Sequence, residues 1–191
     1  MKKSIFVLMI VLMGTLLGSS FMVQGQATNA ATNGLSLGMP ELNLLSSASA
    51  SISLVLTTAV AGEAVKSSMS DSTARVKISS IIAVGQTRTL SAQVTTGAIP
   101  GGTTLKLMAQ TPNSKFGGTK GVVGSDATLS AASATSIVTG IGSCFSGITD
   151  DDGYVLRYKW GLDNPAANYG DIRAAPGGAA ITVTLTLSAG L

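Results

Sequence analysis

Apolar and polar residues alternate with a period of two along much of this chain, and a long run of this kind lies at its end. Ile181, Val183, Leu185 and Leu187 interleave there with Thr182, Thr184, Thr186 and Ser188. Residues two apart on a helix point in nearly opposite directions, whereas on a strand they share a face, so 181–187 is predicted as a strand with one apolar and one threonine face. The same period marks 52–57, through Ile52, Leu54 and Leu56, and 154–160, through Tyr154, Leu156, Tyr158 and Trp160. It also marks 75–82, with Val76 and Ile78, and 87–95, with Leu90, Ala92 and Val94. These last two flank Gly85-Gln86 and read as hairpin partners. The segment between the first two strands, 61–73, reads as a loop or a short helix.

Shorter strands complete the set. Ile99-Pro100-Gly101-Gly102 is a turn signal, because proline presets one backbone dihedral and glycine accepts a positive one, and it leads into a strand at 103–109 with Leu105 and Leu107 on one face. The stretch 128–139 mixes helix-tolerant alanines with Ile137 and Val138, and a strand at 136–139 is the preferred reading. One further strand is expected at 42–45. Seven or eight strands punctuated by Gly, Pro and Asn predict an all-β chain, an antiparallel β-sandwich with a barrel as the alternative.

The N-terminus follows a different logic. Lys2-Lys3 precedes an apolar run at 5–17, followed by small residues around Ser19, Ser20, Gly25 and Ala27. That order predicts a signal peptide at 1–27 and an exported protein: secreted, periplasmic or at the cell surface. The apolar run is short for a bilayer span, so no permanent membrane span is expected after cleavage. Residues 28–51 then form a flexible leader or first strand, and 52–191 a single sandwich domain.

Charge and chemistry narrow the function further. The chain carries a net charge of +3, and without Lys2 and Lys3 ten basic residues face nine acidic ones. Those ten are scattered singly from Lys66 to Arg173, which gives no reason to expect a nucleic-acid partner. Cys144 is the sole cysteine and histidine is absent. No internal disulfide can form, and the commonest general base and a common zinc ligand are missing. No catalytic residue and no cofactor is expected.

Two clusters are candidate sites. Asp150-Asp151-Asp152-Gly153 offers Asp150 and Asp152 as candidate calcium ligands; the same cluster also reads as a solvated turn before the strand at 154–160. Tyr154, Tyr158 and Trp160 form an aromatic face that suits either a ligand-binding surface or the centre of a sandwich. Cys144 lacks an activating histidine and reads as a small core residue. Gly140-x-Gly142 lacks the third glycine of a dinucleotide loop. An acid pair such as Asp126 with Asp163 is a third, hydrolytic possibility.

The signal segment, the Ile99-Pro100-Gly101-Gly102 turn, Gly153-Tyr154 opening a strand, and the final strand together resemble uncharacterised secreted β-sandwich proteins of Gram-negative bacteria. The Bacteroidota are the nearest likeness, and fimbrial subunits a more distant one. The single cysteine departs from fimbrial subunits of the two-cysteine type, and no functional residue is carried over. The expectation is a non-enzymatic secreted or cell-surface structural protein, a fibre or surface-assembly subunit that self-associates or meets other cell-surface proteins. The alternative is a secreted binding module for a glycan or other surface ligand, using Trp160 and the Asp150 turn.

Overall fold

The computed structural model describes residues 32–47, 51–57, 60–65, 68–112, 115–163, 165–174 and 178–190. The chain divides into two compact units, Met1–Gly38 and Met39–Leu191. In the first, the described residues 32–38 are exposed and lack regular structure, and the predicted signal segment falls outside the described residues. The second unit contains β1 (Leu42–Ser47), β2 (Ser68–Ile81), β3 (Arg88–Thr96), β4 (Thr103–Gln110), β5 (Gly117–Gly118), β6 (Val122–Val123), β7 (Ala127–Thr128), β8 (Thr135–Ile141), β9 (Cys144–Phe145), β10 (Tyr154–Leu162) and β11 (Thr182–Ala189). A short helical turn, Pro165–Asn168, runs into a 3-10 turn, Tyr169–Asp171.

The strands form two antiparallel sheets. The first has the order β5-β9-β2-β10-β4-β7, with β1 added beside β2; the second has the order β11-β3-β8-β6. They stack as an antiparallel β-sandwich, and the described strands do not close into a barrel. β2, β3, β4, β10 and β11 send alternate side chains inward, as their sequences require. Ala74, Val76 and Ile78 of β2, Leu105, Leu107 and Ala109 of β4, and Tyr154 and Leu156 of β10 meet Leu90, Ala92 and Val94 of β3, Val138 and Ile141 of β8, and Leu187 of β11. Burying these apolar surfaces is the main force holding the sheets together, at about 25 cal/mol per Å².

Four of the eleven strands are two-residue pairings, and the seven longer ones match seven of the eight segments expected from the sequence. The eighth, 52–57, is corrected. Its half-buried residues Ile52, Leu54 and Leu56 alternate with exposed ones, and Ile52 packs on the core, yet the segment joins neither ladder. Continuing the register of β1 would bring 51–55 opposite residues 72–68 of β2. Between β1 and that stretch, β2 bonds to its own side chains: Asp71 Oδ1 accepts the Thr73 backbone N–H at 2.9 Å, and Arg75 Nη1 donates to the carbonyls of Ser72, Thr73 and Ala74 at 2.7, 3.3 and 3.2 Å. The pairing of β10 with β2 also shifts register between Leu156 and Tyr158, a bulge that bends this stretch.

The expected hairpin of 75–82 with 87–95 is corrected too. β2 belongs to the first sheet and β3 to the second, so the turn at 82–87 is an arch between layers. Stacked sheets lie about 10 Å apart, a gap that a loop of this length spans. Alternation records which side chains are buried, and both a hairpin and an arch bury one face of each strand. The start of 61–73 is a turn, with Glu63 N–H donating to Val60 O at 3.2 Å, while Ser68 onward is already strand β2.

Candidate functional site

The edges of the sandwich differ sharply in what they offer another chain. Val76 pairs with both Ser47 and Tyr154, and Ser80 with both Asn43 and Cys144, so β1 occupies one flank of β2 and β9 with β10 occupy the other. β1 covers only 76–81 of β2, and beyond it Asp71 and Arg75 bond to backbone groups at 72–74. Charged side chains and a bulge at an edge discourage strand addition.

β1 itself is lightly held. None of its six residues is fully buried; Leu42 and Leu45 are half-buried and Leu44 is 56% exposed. Its firmest attachments are polar. Arg88 points inward from β3, only 7% exposed, and donates from Nε to Ser80 Oγ at 3.2 Å and from Nη2 to Glu41 Oε2 at 3.3 Å and Leu42 O at 3.4 Å. Asn43 Nδ2 donates to Leu187 O of β11 at 3.0 Å. β1 is thus laddered to one sheet and pinned to the other.

β11 is the open edge of the second sheet, with β3 as its ladder partner among the described residues. Leu187 O receives the Asn43 amide from outside the sheet, so in the two-residue rhythm of an antiparallel strand the backbone groups of Val183 and Leu185 face the same outer edge. The strand carries no charge to repel a neighbour. Its outward threonines continue onto β3, where Thr95 and Thr184 share a hydrogen bond at 2.8 Å between hydroxyls.

The outer face of the first sheet has the opposite character. Lys159 of β10 sits directly across from Lys106 of β4, and Arg157 is next in line on the same face. Like charges placed directly opposite oppose folding, and one carboxylate moderates them here. Asp126 Oδ1 accepts from Arg157 Nη2 at 2.8 Å, and this bond, opposed by partial burial and aided by the nearby charges of Arg157, Lys159 and Lys106, holds the Asp126 carboxyl below its ordinary value. Sequence reading missed this cluster because residues 106 and 159 become neighbours only through strand pairing; alternation placed Arg157 and Lys159 outward but said nothing of β4.

The predicted site residues are dispersed. Tyr154 is fully buried, edge-on to Phe116 at a ring-centroid distance of 5.4 Å, and its hydroxyl donates to Lys120 O. Burial, with a smaller contribution from Cys144, pushes its phenol well above the usual range. Tyr158 and Trp160 are half-buried on the same inward face and pack against the core, and burial also raises Tyr158. Trp160 Nε1 donates to Thr103 Oγ1 at 3.0 Å, and Thr103 Oγ1 donates to Pro100 O at 2.6 Å, so the indole is tied to the proline turn. The aromatic face therefore serves the interior.

Asp150 and Asp152 turn to different partners. Asp150 is exposed and lies 3.6 Å from Lys77 Nζ. Asp152 is buried, accepts Thr149 N–H at 2.8 Å and lies 3.5 Å from Lys115 Nζ, which makes it the anchor of the turn. Among the described residues no group of three or more acidic or cysteine side chains is placed to hold a metal ion. Cys144 is buried, and burial pushes its thiol up, away from the thiolate a nucleophile needs. Asp126 flanks β7 near Met108 of β4, while Asp163 donates its N–H to Gly102 O. Six residues of strand separate those positions, about 20 Å, too far for a paired-carboxylate mechanism.

The fold and its edges define a two-sheet antiparallel sandwich with a lightly held first strand and an uncharged last one. No family model, no curated protein and no solved structure matches the chain.

Proposed function

We propose that this chain is a non-enzymatic exported structural protein that assembles with other copies of itself through its strand edges. One observation carries the reading: beyond β1 the edge of β2 is interrupted at 72–74 by its own side chains, whereas β11 carries no charge and turns the backbone groups of Val183 and Leu185 to its outer edge. An uncharged edge of that kind is a template for another strand. Export rests on the basic, apolar and small-residue order of 1–27, and a fibre or surface assembly is the use that an edge-pairing sandwich outside the cytoplasm would have. Among the described residues no helix is long and apolar enough to cross a membrane. Sedimentation of the processed protein over a wide concentration range tests the proposal: growth into dimers and longer species is expected, and strictly monomeric behaviour throughout overturns it.

A second reading, a binding module for an acidic surface glycan, is favoured by the outward group of Lys106, Lys159 and Arg157. Retention on an immobilised polyuronate that falls with added salt and is lost in the double variant Lys106→Gln, Lys159→Gln would support it. Indifference of retention to both salt and substitution would remove it.

A further inference from the structure

The position occupied by β1 selects its occupant by more than shape. Arg88 brings a guanidinium into the space between the sheets, and a buried guanidinium without a counter-charge is strongly destabilising. The carboxylate it meets among the described residues is Glu41, one residue before β1, and the carbonyl of Leu42 adds a second contact from the same segment. On the far side of Leu42, Asn43 supplies the amide that satisfies Leu187 O. The two polar contacts flank Leu42, so they read the strand at a fixed spacing.

Hydrophobic burial leaves this register underdetermined, since no residue of β1 is fully buried. A slip of one residue would move Glu41 by about 3.3 Å and turn the Asn43 side chain to the opposite face. Both contacts would break together. The guard at Asp71 and Arg75 confines the position to 76–81 of β2, which prevents a longer strand from compensating with extra ladder bonds.

We propose that Arg88 and the Leu187 carbonyl form a strand key: they accept a strand that carries a carboxylate immediately before its first ladder residue and a side-chain amide immediately after it. Resting on the assembly reading above, the inference assigns residues 41–47 of a second copy as the occupant used between molecules. Glu41-Leu42-Asn43 is the one place in this chain where an acidic residue is followed two positions later by asparagine. Other segments of a neighbouring copy, β11 included, lack the key.

The test uses the full processed chain carrying Glu41→Gln, which weakens its own β1, together with fluorescent synthetic peptides of residues 39–49. The unmodified peptide is expected to bind about tenfold or more tightly than peptides carrying Glu41→Gln or Asn43→Ala, from loss of a bond to a buried charged or carbonyl group. An Arg88→Gln chain should lose the preference for Glu41 and keep the preference for Asn43. Should that chain fail to fold, the peptide series still decides, because it alters only the occupant. Equal affinity of the three peptides, or no binding of any, overturns the strand key. A wild-type chain that assembles, and whose Glu41→Gln, Asn43→Ala variant assembles equally well, overturns the key and leaves the assembly reading standing. A monomeric wild-type chain whose Glu41→Gln form still discriminates among the peptides sinks the assembly reading and with it the second copy as occupant, and leaves the key as a register device within one chain.

Discussion

At the scale of single residues, polar atoms decide as much as apolar ones. The Tyr154 hydroxyl lies within a core of aliphatic side chains and is satisfied by the Lys120 carbonyl. Tyr154→Phe keeps the ring and its contact with Phe116 but leaves that carbonyl without its donor, and is expected to cost about 1 kcal/mol in denaturant unfolding; Tyr154→Ala, which also empties the ring's space, should cost about 3–5 kcal/mol. The residue before it is constrained by the backbone. Gly153 has φ of +93°, and a Cβ there would collide with the Val76 carbonyl oxygen. Gly153→Ala is therefore expected to destabilise by about 2 kcal/mol or more, read as a lower midpoint in the same unfolding measurement.

The Asp126–Arg157 pair gives a pH signature. Asp126 titrates below its ordinary value in the folded chain, so its contribution is complete above that ordinary value and is lost as pH falls through the lowered folded one. The pair is partly exposed, with side chains 29% and 33% accessible, which limits its contribution to about 1 kcal/mol or less. Wild type should exceed Asp126→Asn in stability by that small margin at neutral pH, and the margin should close only below about pH 4. A margin that closes between pH 6 and 8 would contradict this assignment.

At the scale of elements, the two ends of β2 behave as different strands. The C-terminal part, 76–81, accepts β1, and at 72–74 Asp71 and Arg75 bond to the strand's own backbone. The double variant Asp71→Ala, Arg75→Ala exposes backbone groups that are now satisfied. It is expected to associate or aggregate at concentrations where the wild-type species distribution is unchanged, measured by light scattering. β11 is the complementary case: it is an edge strand whose removal uncovers the core. Leu187 is buried, and Val183 and Leu185 pack against the same cluster, so deletion of 181–187 is expected to abolish the cooperative unfolding transition. Retention of that transition in calorimetry would mean that β3 is a sufficient edge by itself.

At the scale of the molecule, the sandwich has two unlike outer faces. One sheet presents Lys106, Arg157 and Lys159, and the other presents threonine and serine from β3 and β11. Neither face is visible in composition, where a nearly balanced charge suggests a surface without polarity. The strand key extends the same point to the interior, since Arg88 connects β3, β2 and the segment before β1, three parts of the chain far apart in order. An assembly built through β1 would make the counter-charge of Arg88 a matter between molecules. It would tie the stability of each sandwich to its neighbour.

What the amino-acid order determined alone was the inward or outward direction of side chains. Period-two alternation located five of the long strands, because burial of one face is a local requirement that such a strand must meet whichever partner it finds. The same order identified Gly153, the Pro100 turn and the uncharged last strand. Tertiary structure decided pairing: that β2 and β3 form an arch, that 52–57 stays outside the ladders, that Lys106 meets Lys159, and that Tyr154 is interior rather than a ligand platform. Pairing depends on contacts between residues remote in the chain, and on side chains such as Asp71, Arg75 and Arg88 that close or open an edge only once the edge exists. Local periodicity carries no record of those partners.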